Sequence, residues 1–164
     1  MMCATGQVCE RYTNPACVSP DWAEWAMPNV AGDVGTGAPN PVSYTDNMDG
    51  TVTDNVTKLM WQKEQVPGYS LHPDARAFCS MLSLGGHHDW RLPSAIELIS
   101  ILDYGQSNPA INVTFFPTLP DQCFWSSTLS GADPSMAWCI YFGLFPGTEA
   151  TAGMDSTYSV RCVR

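Results

Sequence analysis

The cysteines narrow the range of folds open to this chain. Seven of them occur in 164 residues, at positions 3, 9, 17, 79, 123, 139 and 162. No C-x-x-C pair is present, and the three histidines are not spaced as zinc partners to any cysteine. Paired thiols in an oxidising compartment therefore explain the pattern better than a metal site does. Because the count is odd, one thiol remains unpaired or bonds to another chain.

The charge balance excludes several classes of partner. Seven Lys and Arg side chains stand against 16 Asp and Glu, which gives a formal net charge of −9. Nucleic-acid binding needs clustered basic residues, and the two lysines, Lys58 and Lys63, form no such cluster. We therefore expect no nucleic-acid partner, and the same deficit argues against sulfated polysaccharides and anionic membrane surfaces.

No apolar run reaches the roughly 18 residues that a membrane-spanning helix needs, so we expect no membrane insertion. The first residues also lack the basic and apolar regions of a signal peptide. Export would therefore require a leader that this sequence does not include.

Composition divides the chain after residue 41. Residues 1–41 are rich in turn residues, and we predict an extended arm with a small disulfide loop, in which residues 29–41 form a loop. Residues 42–164 predict one domain in which strands precede and follow two helices, an α+β arrangement of antiparallel strands.

The strand signals lie at both ends of the predicted domain. Residues 44–46, 51–54 and 59–62 alternate with turn residues and predict a three-stranded antiparallel meander. Near the C-terminus, residues 123–128, 136–142 and 156–164 predict three further strands. Between the last two, the glycine-rich residues 143–155 predict a long exposed loop.

Two amphipathic helices are predicted between these groups of strands. Residues 74–84 place apolar side chains at i, i+3, i+4 and i+7, with Pro73 at the first turn and Gly85 after the end. Ser94 and Glu97 form a capping box that begins the second helix, and Gly105 ends it.

Five motifs in this order resemble the Lcl C-terminal domain family, which is named for the C-terminal domain of a collagen-like bacterial adhesin. They are DNMDGTVTDNVTKLMWQ (46–62), DWRLPSAIEL (89–98), WSST (125–128), AW (137–138) and VRCVR (160–164). The resemblance implies a C-type-lectin-like fold and an extracellular or cell-surface location in a bacterium. It implies the scaffold and not the ligand, because such scaffolds bind through variable loops.

Two departures from related proteins limit what the resemblance implies. The adhesin that names the family resembles a basic binder of sulfated glycosaminoglycans, whereas this chain is strongly acidic. The Glu-Pro-Asn or Gln-Pro-Asp motif with which animal C-type lectins hold calcium and sugar is also absent. Neither sulfated-glycan binding nor sugar coordination through calcium is therefore expected here.

The function expected from these observations is recognition or adhesion outside the cell. The domain would bind a glycan or a protein through the loops at 129–135 and 143–158. One alternative is a structural subunit of a surface assembly or oligomer that packs through the N-terminal arm or Cys3. A less favoured alternative is an enzyme related to the formylglycine-generating enzymes.

The resemblance also implies a pairing for the cysteines. Cys79 and Cys162 resemble the bridge that joins a helix to the C-terminal strand in C-type lectins. Cys123 and Cys139 lie in neighbouring predicted strands and would form a second bridge. In the arm we prefer Cys9–Cys17, which leaves Cys3 over.

The aromatic residues of the C-terminal half are the best candidates for ligand binding. Trp125 and Trp138 are expected in the core. The predicted recognition surface instead consists of side chains in or beside the long loop, where amphipathic rings favour contact with sugar or protein: Tyr141, Phe145, Glu149, Asp155 and Tyr158. The competing interpretation is that Phe145 and Met154 fold back to cap the core.

Asp46, Asp49 and Asp54 form an oxygen-rich turn with two interpretations. The turn geometry of a hairpin explains them, and calcium coordination is the alternative, so calcium is the one cofactor considered. The run departs from an EF-hand loop because no Glu stands at the twelfth position.

No catalytic set is evident in the sequence. Ser126, His88 and Asp103 could be combined into a triad, but no nucleophile elbow is present. Arg91 is expected to tie its loop to Asp103 or Glu97 rather than to hold a ligand. We therefore expect that the chain is not an enzyme.

Overall fold

The computed structural model describes residues 26–143 and 149–164, apart from the side chains of residues 67–70 and 149, and the backbone of two short strands in the N-terminal region. Strands precede and follow the two longer helices, so the class is α+β, as predicted. The elements are β1 (Val8–Cys9), β2 (Cys17–Val18), α1 (Ala31–Gly35), β3 (Tyr44–Asp46), β4 (Thr51–Asp54), β5 (Met60–Gln62), β6 (Val66–Ser70), α2 (His72–Met81), α3 (Ala95–Ser100), β7 (Cys123–Leu129), β8 (Met136–Tyr141), β9 (Glu149–Gly153) and β10 (Tyr158–Val160). No helix among the described residues is both long and apolar enough to cross a bilayer.

Strands β3, β4 and β5 form the predicted antiparallel meander. Val52 pairs with Asp46 on one side and with Trp61 on the other. The turn between β3 and β4 contains Gly50 at a φ of 88°, a conformation that glycine adopts without strain. Val52 and Trp61 are fully buried, so the meander contributes directly to the core.

A second sheet has the strand order β6-β10-β7-β8-β9 in the described part of the chain. The pair β10–β7 is parallel, with Ser159 opposite Phe124, and the other pairs are antiparallel. The expectation of antiparallel strands throughout is therefore wrong for this pair. The last strand enters the sheet between β6 and β7, and its direction there is the same as that of β7.

The predicted loop at 143–155 is also corrected, because its second half forms strand β9. This strand pairs with β8 from Glu149 opposite Ile140 to Gly153 opposite Met136. Trp138, expected in the core, is only partly buried, opposite Thr151 of β9. The glycine-rich segment thus serves as an edge strand whose backbone hydrogen-bonds to β8.

Side chains on the two faces of the five-stranded sheet belong to two hydrophobic clusters. Phe124 and Ile140 pack with Leu98 of α3. Trp125, on the opposite face of β7, packs with Ala75 of α2. Residues alternate in this way because neighbours along a strand point to opposite faces. Each large apolar side chain buried in these clusters contributes about 1.5–3 kcal/mol to folding.

Both predicted amphipathic helices are present. Helix α2 carries its proline in the first turn, but it begins two residues earlier and ends three residues earlier than the predicted 74–84. Helix α3 begins at the predicted capping box, in which the Ser94 and Glu97 side chains each hydrogen-bond to the other's backbone N–H. It ends at Ser100, so the prediction that it continues to Gly105 is wrong. Helix α1, a single turn, lies within residues 29–41, which the sequence predicted as a loop.

Two of the predicted disulfides form. Cys79 of α2 bonds to Cys162, with Cα atoms 5.5 Å apart, and Cys123 of β7 bonds to Cys139 of β8, with Cα atoms 5.8 Å apart. The backbones of Cys9 and Cys17 lie opposite each other in the β1–β2 pair. Their side chains, like Cys3, lie outside the described residues, so the third bridge stays a prediction.

Arg161 is buried next to the C-terminal disulfide. Its guanidinium donates hydrogen bonds of 2.9 Å to the Gln62 carbonyl, 3.0 Å to the Pro117 carbonyl and 2.9 Å to the Thr118 hydroxyl. The guanidinium carbon also lies 5.3 Å from the centre of the Phe116 ring. Burial lowers the pKa of Arg161 to about 9, which still leaves the side chain charged at neutral pH. This single residue therefore joins the C-terminal segment to two other parts of the chain.

Candidate ligand-binding cleft

The strand register places Tyr141 and Tyr158, two of the predicted ligand residues, on the same face of the five-stranded sheet. Tyr141 lies opposite Cys123 in the β7–β8 pair. In the β10–β7 pair Ser159 lies opposite Phe124, so the preceding residues, Tyr158 and Cys123, share the other face. The neighbouring strands β10, β7 and β8 therefore place the two tyrosines on one face.

Both tyrosines line an open cleft of about 500 Å³, which we call the tyrosine cleft. This volume lies within the range of about 300–1,000 Å³ that is usual for small-molecule sites. Its lining comes from β7, β8, β9, β10 and the turns beside them: Asp121, Gln122, Cys123, Cys139, Tyr141, Ala150, Thr157 and Tyr158. Asp121, Ala150 and Thr157 are exposed, so a ligand can reach the cleft from solvent.

The position of Tyr141 at the rim of the cleft depends on a hydrogen bond from its hydroxyl and on free space beside its ring. The hydroxyl donates a hydrogen bond of 2.8 Å to Asp121 Oδ1. Asp121 is itself fixed in a turn with a φ of 54°, where its N–H donates to Asn108 Oδ1 at 3.1 Å. A Cβ added at Gly143 would collide with the end of the Tyr141 ring. Glycine at position 143 is therefore what allows the ring to lie there.

Tyr158 is positioned by a chain of buried rings. Its ring meets that of Trp125 edge to face, with centroids 4.8 Å apart, and Trp125 meets His72 in the same way at 5.1 Å. His72 Nε2 lies 2.9 Å from the Ser126 carbonyl, which can only accept, so Nε2 carries the proton. Burial lowers the pKa of His72, so the imidazole is neutral at pH 7. Tyr158 thus rests on a rigid apolar support and turns its remaining surface to the cleft.

The floor of the cleft also has fixed polar groups. Gln122 Oε1 accepts a hydrogen bond of 2.7 Å from the Ser159 hydroxyl, and Gln122 Nε2 donates to the Pro120 carbonyl at 3.2 Å. Beside it, the Cys123–Cys139 disulfide joins β7 to β8. The backbone and the polar atoms around the cleft are therefore held in place before any ligand arrives.

The lining of the cleft carries negative charge. Asp121 is the charged residue among the eight that line it, and none of the eight is Lys or Arg. The carboxylate can accept hydrogen bonds, and the two tyrosine rings offer flat amphipathic surfaces. This combination suits a ligand that carries hydroxyl or N–H donors on an apolar skeleton.

Of the other predicted ligand residues, only Asp155 has a described side chain. Phe145 lies outside the described residues, and of Glu149 only the backbone is described, in β9 opposite Ile140. Asp155 is exposed in the turn between β9 and β10, away from the lining. Met154, which the competing interpretation expects to cap the core, is partly buried in the same turn. The predicted site loop at 129–135 joins β7 to β8 at the end of the sheet opposite the cleft, and its assignment to the site stays a prediction.

Two cleft residues lie outside every segment that the sequence indicated for binding. Asp121 and Gln122 directly precede the predicted strand at 123, and this adjacency to Cys123 was the signal that could have found them. Ala150 and Thr157 lie within the predicted binding segment 143–158, although neither residue was singled out in it. Ala150 reaches the cleft through the pairing of β9 with β8.

Each of the three aspartates proposed as an alternative calcium site contacts a different partner within the protein. Asp46 Oδ2 lies 2.6 Å from Lys63 Nζ, and this hydrogen bond lowers the pKa of Asp46. Asp49 Oδ1 accepts a hydrogen bond of 2.6 Å from the Thr51 hydroxyl, and the buried Asp54 accepts hydrogen bonds from the turn that follows it. Among the residues that the structure describes, no three His, Cys, Asp or Glu side chains are grouped to hold a metal ion. These contacts support the hairpin interpretation, and calcium coordination stays an untested alternative.

Arg91 makes the structural contact that the sequence predicted. Its two terminal nitrogens lie 2.8 and 2.5 Å from the two carboxylate oxygens of Glu97, which is also the capping-box residue.

Of the residues of the rejected triad, Ser126 is buried and its hydroxyl donates to the Trp138 carbonyl at 2.8 Å. The expectation that the chain is not an enzyme stays a prediction.

The comparison with known proteins agrees with the motifs. Residues 50–164 match the Lcl C-terminal domain. No curated relative matches the chain. The matched segment begins at the β3–β4 turn and includes every residue that lines the tyrosine cleft. Because the match covers well over half of the sequence, this chain belongs to the Lcl C-terminal domain family.

Proposed function

We propose that this chain is an adhesin-like recognition domain that binds a glycan or protein ligand in the tyrosine cleft. One observation carries the proposal. Tyr141 and Tyr158, from separate strands, line one open cleft together with the Asp121 carboxylate, which Tyr141 holds in place. Binding sites are usually concave, largely formed in advance, and lined by aromatic rings with a few placed polar atoms. Membership of a family named for an adhesin domain supports the same function.

A C-type-lectin-like scaffold is part of this proposal. In its support, two helices flank a mixed sheet, and a disulfide ties the first of these helices to the C-terminal segment. The strands β7 to β10 would then provide the ligand-binding surface, and the meander and helices would support it. The cleft uses the strand ends and the turns beside them.

We place the domain outside the bacterial cell or on its surface. The two disulfides among the described cysteines support an oxidising compartment. The net charge of −9 argues against nucleic acid and anionic membranes as partners. The expected partner is therefore another surface molecule, either a glycan or a protein.

The test is a binding screen of the whole chain against a glycan array and a panel of extracellular proteins. We expect at least one ligand whose affinity falls about tenfold or more in the double variant Tyr141→Ala, Tyr158→Ala. Tyr104→Ala is the matched control, because Tyr104 is exposed and lies outside the cleft. Circular dichroism before and after heating shows whether the double variant still folds. If it does not fold, the milder Tyr141→Phe variant takes its place in the binding assay.

Two results would contradict the proposal. Ligands that bind the double variant as well as the original chain would place recognition elsewhere. If nothing binds and light scattering shows a defined oligomer, the chain is a structural subunit instead.

A further inference from the structure

The tyrosine cleft combines features that select a ligand by charge. On the basis of the proposed function, we propose that the cleft binds an uncharged, hydroxyl-rich sugar of one or two residues and rejects its carboxylated and sulfated counterparts. This inference goes beyond the choice between glycan and protein ligands, and three observations carry it.

The first observation is the Asp121 carboxylate. Tyr141 occupies Oδ1 at 2.8 Å, while Oδ2 has no hydrogen-bond donor among the described residues. Asp121 is exposed, so Oδ2 can accept hydrogen bonds from a ligand that brings its own donors. Sugar hydroxyl groups are such donors, and hydrogen bonds to a charged acceptor are the stronger kind.

The second observation is the pair of aromatic rings. Tyr141 and Tyr158 are both partly buried and both contribute to the cleft wall. Neither ring lies on a flexible loop, because Tyr141 ends β8 and Tyr158 begins β10. The face of a pyranose ring that carries C–H groups packs on such rings, while its hydroxyls remain at the polar edge. A cavity of about 500 Å³ admits one or two sugar residues more readily than a folded protein surface.

The third observation is that the described residues of the lining carry no positive charge. None of the eight lining residues is Lys or Arg, and the chain as a whole has a net charge of −9. A carboxylate or sulfate in the cleft would therefore lie near Asp121 with no lining cation to neutralise it. Like charges a few ångströms apart repel each other even in partly hydrated surroundings. We expect this repulsion to weaken binding of an acidic sugar about tenfold or more.

The experiment compares matched pairs of sugars on the whole chain by calorimetry. The probes are glucose and glucuronic acid, galactose and galacturonic acid, and lactose with and without a sulfate group. The neutral member of the best pair should bind, and its acidic member should bind about tenfold or more weakly at low salt. Asp121→Asn should reduce this preference toward unity, because the amide keeps the shape and removes the charge.

Asp133→Asn is the matched control. Asp133 is an exposed carboxylate in the β7–β8 turn, at the end of the sheet away from the cleft, and its substitution changes the net charge by the same amount. A long-range field effect would make the two variants behave alike. The proposal requires that only the Asp121 variant lose the preference.

The possible results separate this inference from the proposed function. Equal or tighter binding of the acidic sugars, lost on substitution of the tyrosines, overturns the inference and leaves recognition in the cleft intact. The same conclusion follows if only protein ligands bind and their binding depends on the same tyrosines. If no sugar and no protein depends on the tyrosines, both proposals are wrong.

Discussion

Tyr141 donates its hydroxyl hydrogen to Asp121 Oδ1 over 2.8 Å, and this contact joins the end of β8 to the turn before β7. It orients the only carboxylate among the described residues that line the cleft, and it holds one of the two rings in place. The contact depends on room beneath the ring, which Gly143 provides. Ring, carboxylate and glycine are therefore one unit, although they come from three positions along the chain.

The first prediction concerns Gly143. Gly143→Ala should displace the Tyr141 ring, because the new Cβ would occupy its place. Ligand affinity should fall about tenfold or more, since the hydrogen bond to Asp121 is lost with the ring position. The free energy of unfolding should fall by only about 1–2 kcal/mol, because the displaced atoms are the movable end of a side chain. Calorimetry and urea unfolding measure the two quantities.

The matched control for this prediction is Gly131→Ala. A Cβ at Gly131 would meet nothing within 4 Å, so neither affinity nor stability should change appreciably. If Gly143→Ala retains full affinity, the Tyr141 ring position is not required for binding.

The second prediction ranks the two disulfides. Cys79 and Cys162 are separated by 83 residues and Cys123 and Cys139 by 16. In the chain-entropy model, replacing both cysteines of a pair by Ser should cost about 4–5 kcal/mol for the first and about 3 kcal/mol for the second. Urea unfolding of the two double variants gives the order. Only the second variant should also weaken ligand binding, because only its bridge lines the cleft; the reverse order of stability would contradict the prediction.

The third prediction concerns the pH dependence of stability. Burial lowers the pKa of His72 below 6.5, so between pH 6.5 and that lower value the unfolded state binds more protons than the folded state. Stability contributed by the neutral imidazole is complete above pH 6.5 and is lost as the pH falls through the folded pKa. One proton gives a slope of at most about 1.4 kcal/mol per pH unit.

Urea unfolding between pH 7 and pH 5 measures this slope. The groups facing His72 are the Trp125 ring and the Ser126 carbonyl, and the positive charge of Arg76 acts in the same direction as burial. His72→Gln keeps a donor near Ser126 and removes the titration, so its slope should be flatter. A variant with the same slope as the original chain would assign the pH dependence to other groups.

The fourth prediction separates hairpin geometry from calcium binding. Asp54 is fully buried and its oxygens accept hydrogen bonds of 2.8 Å from the Val56 N–H and 2.7 Å from the Thr57 hydroxyl. Asp54→Ala should therefore lower the free energy of unfolding by about 1–3 kcal/mol, since these donors lose their acceptor. The loss should be the same with added calcium or with a chelator. A chelator that lowers the melting temperature of the original chain by about 10 °C or more would restore the calcium alternative.

The sequence alone determined the elements whose signals lie within a few residues. The capping box of Ser94 and Glu97, the proline at the start of α2 and the turn residues before Thr51 each specify local backbone geometry, and the structure contains all three elements. Such signals act through hydrogen bonds and dihedral preferences between near neighbours, so they can be read without knowing the fold.

Only the tertiary structure decided which strand edges meet. Glu149–Gly153 has no large apolar side chain, and it becomes a strand because the edge of β8 offers its backbone a partner. The same pairing leaves Trp138 only partly buried. The parallel insertion of β10 beside β7 brings Tyr158 to Tyr141 and Asp121. These contacts depend on long-range pairing, whose free energy comes from the whole sheet and not from any one segment, so the cleft could be assembled only by the fold.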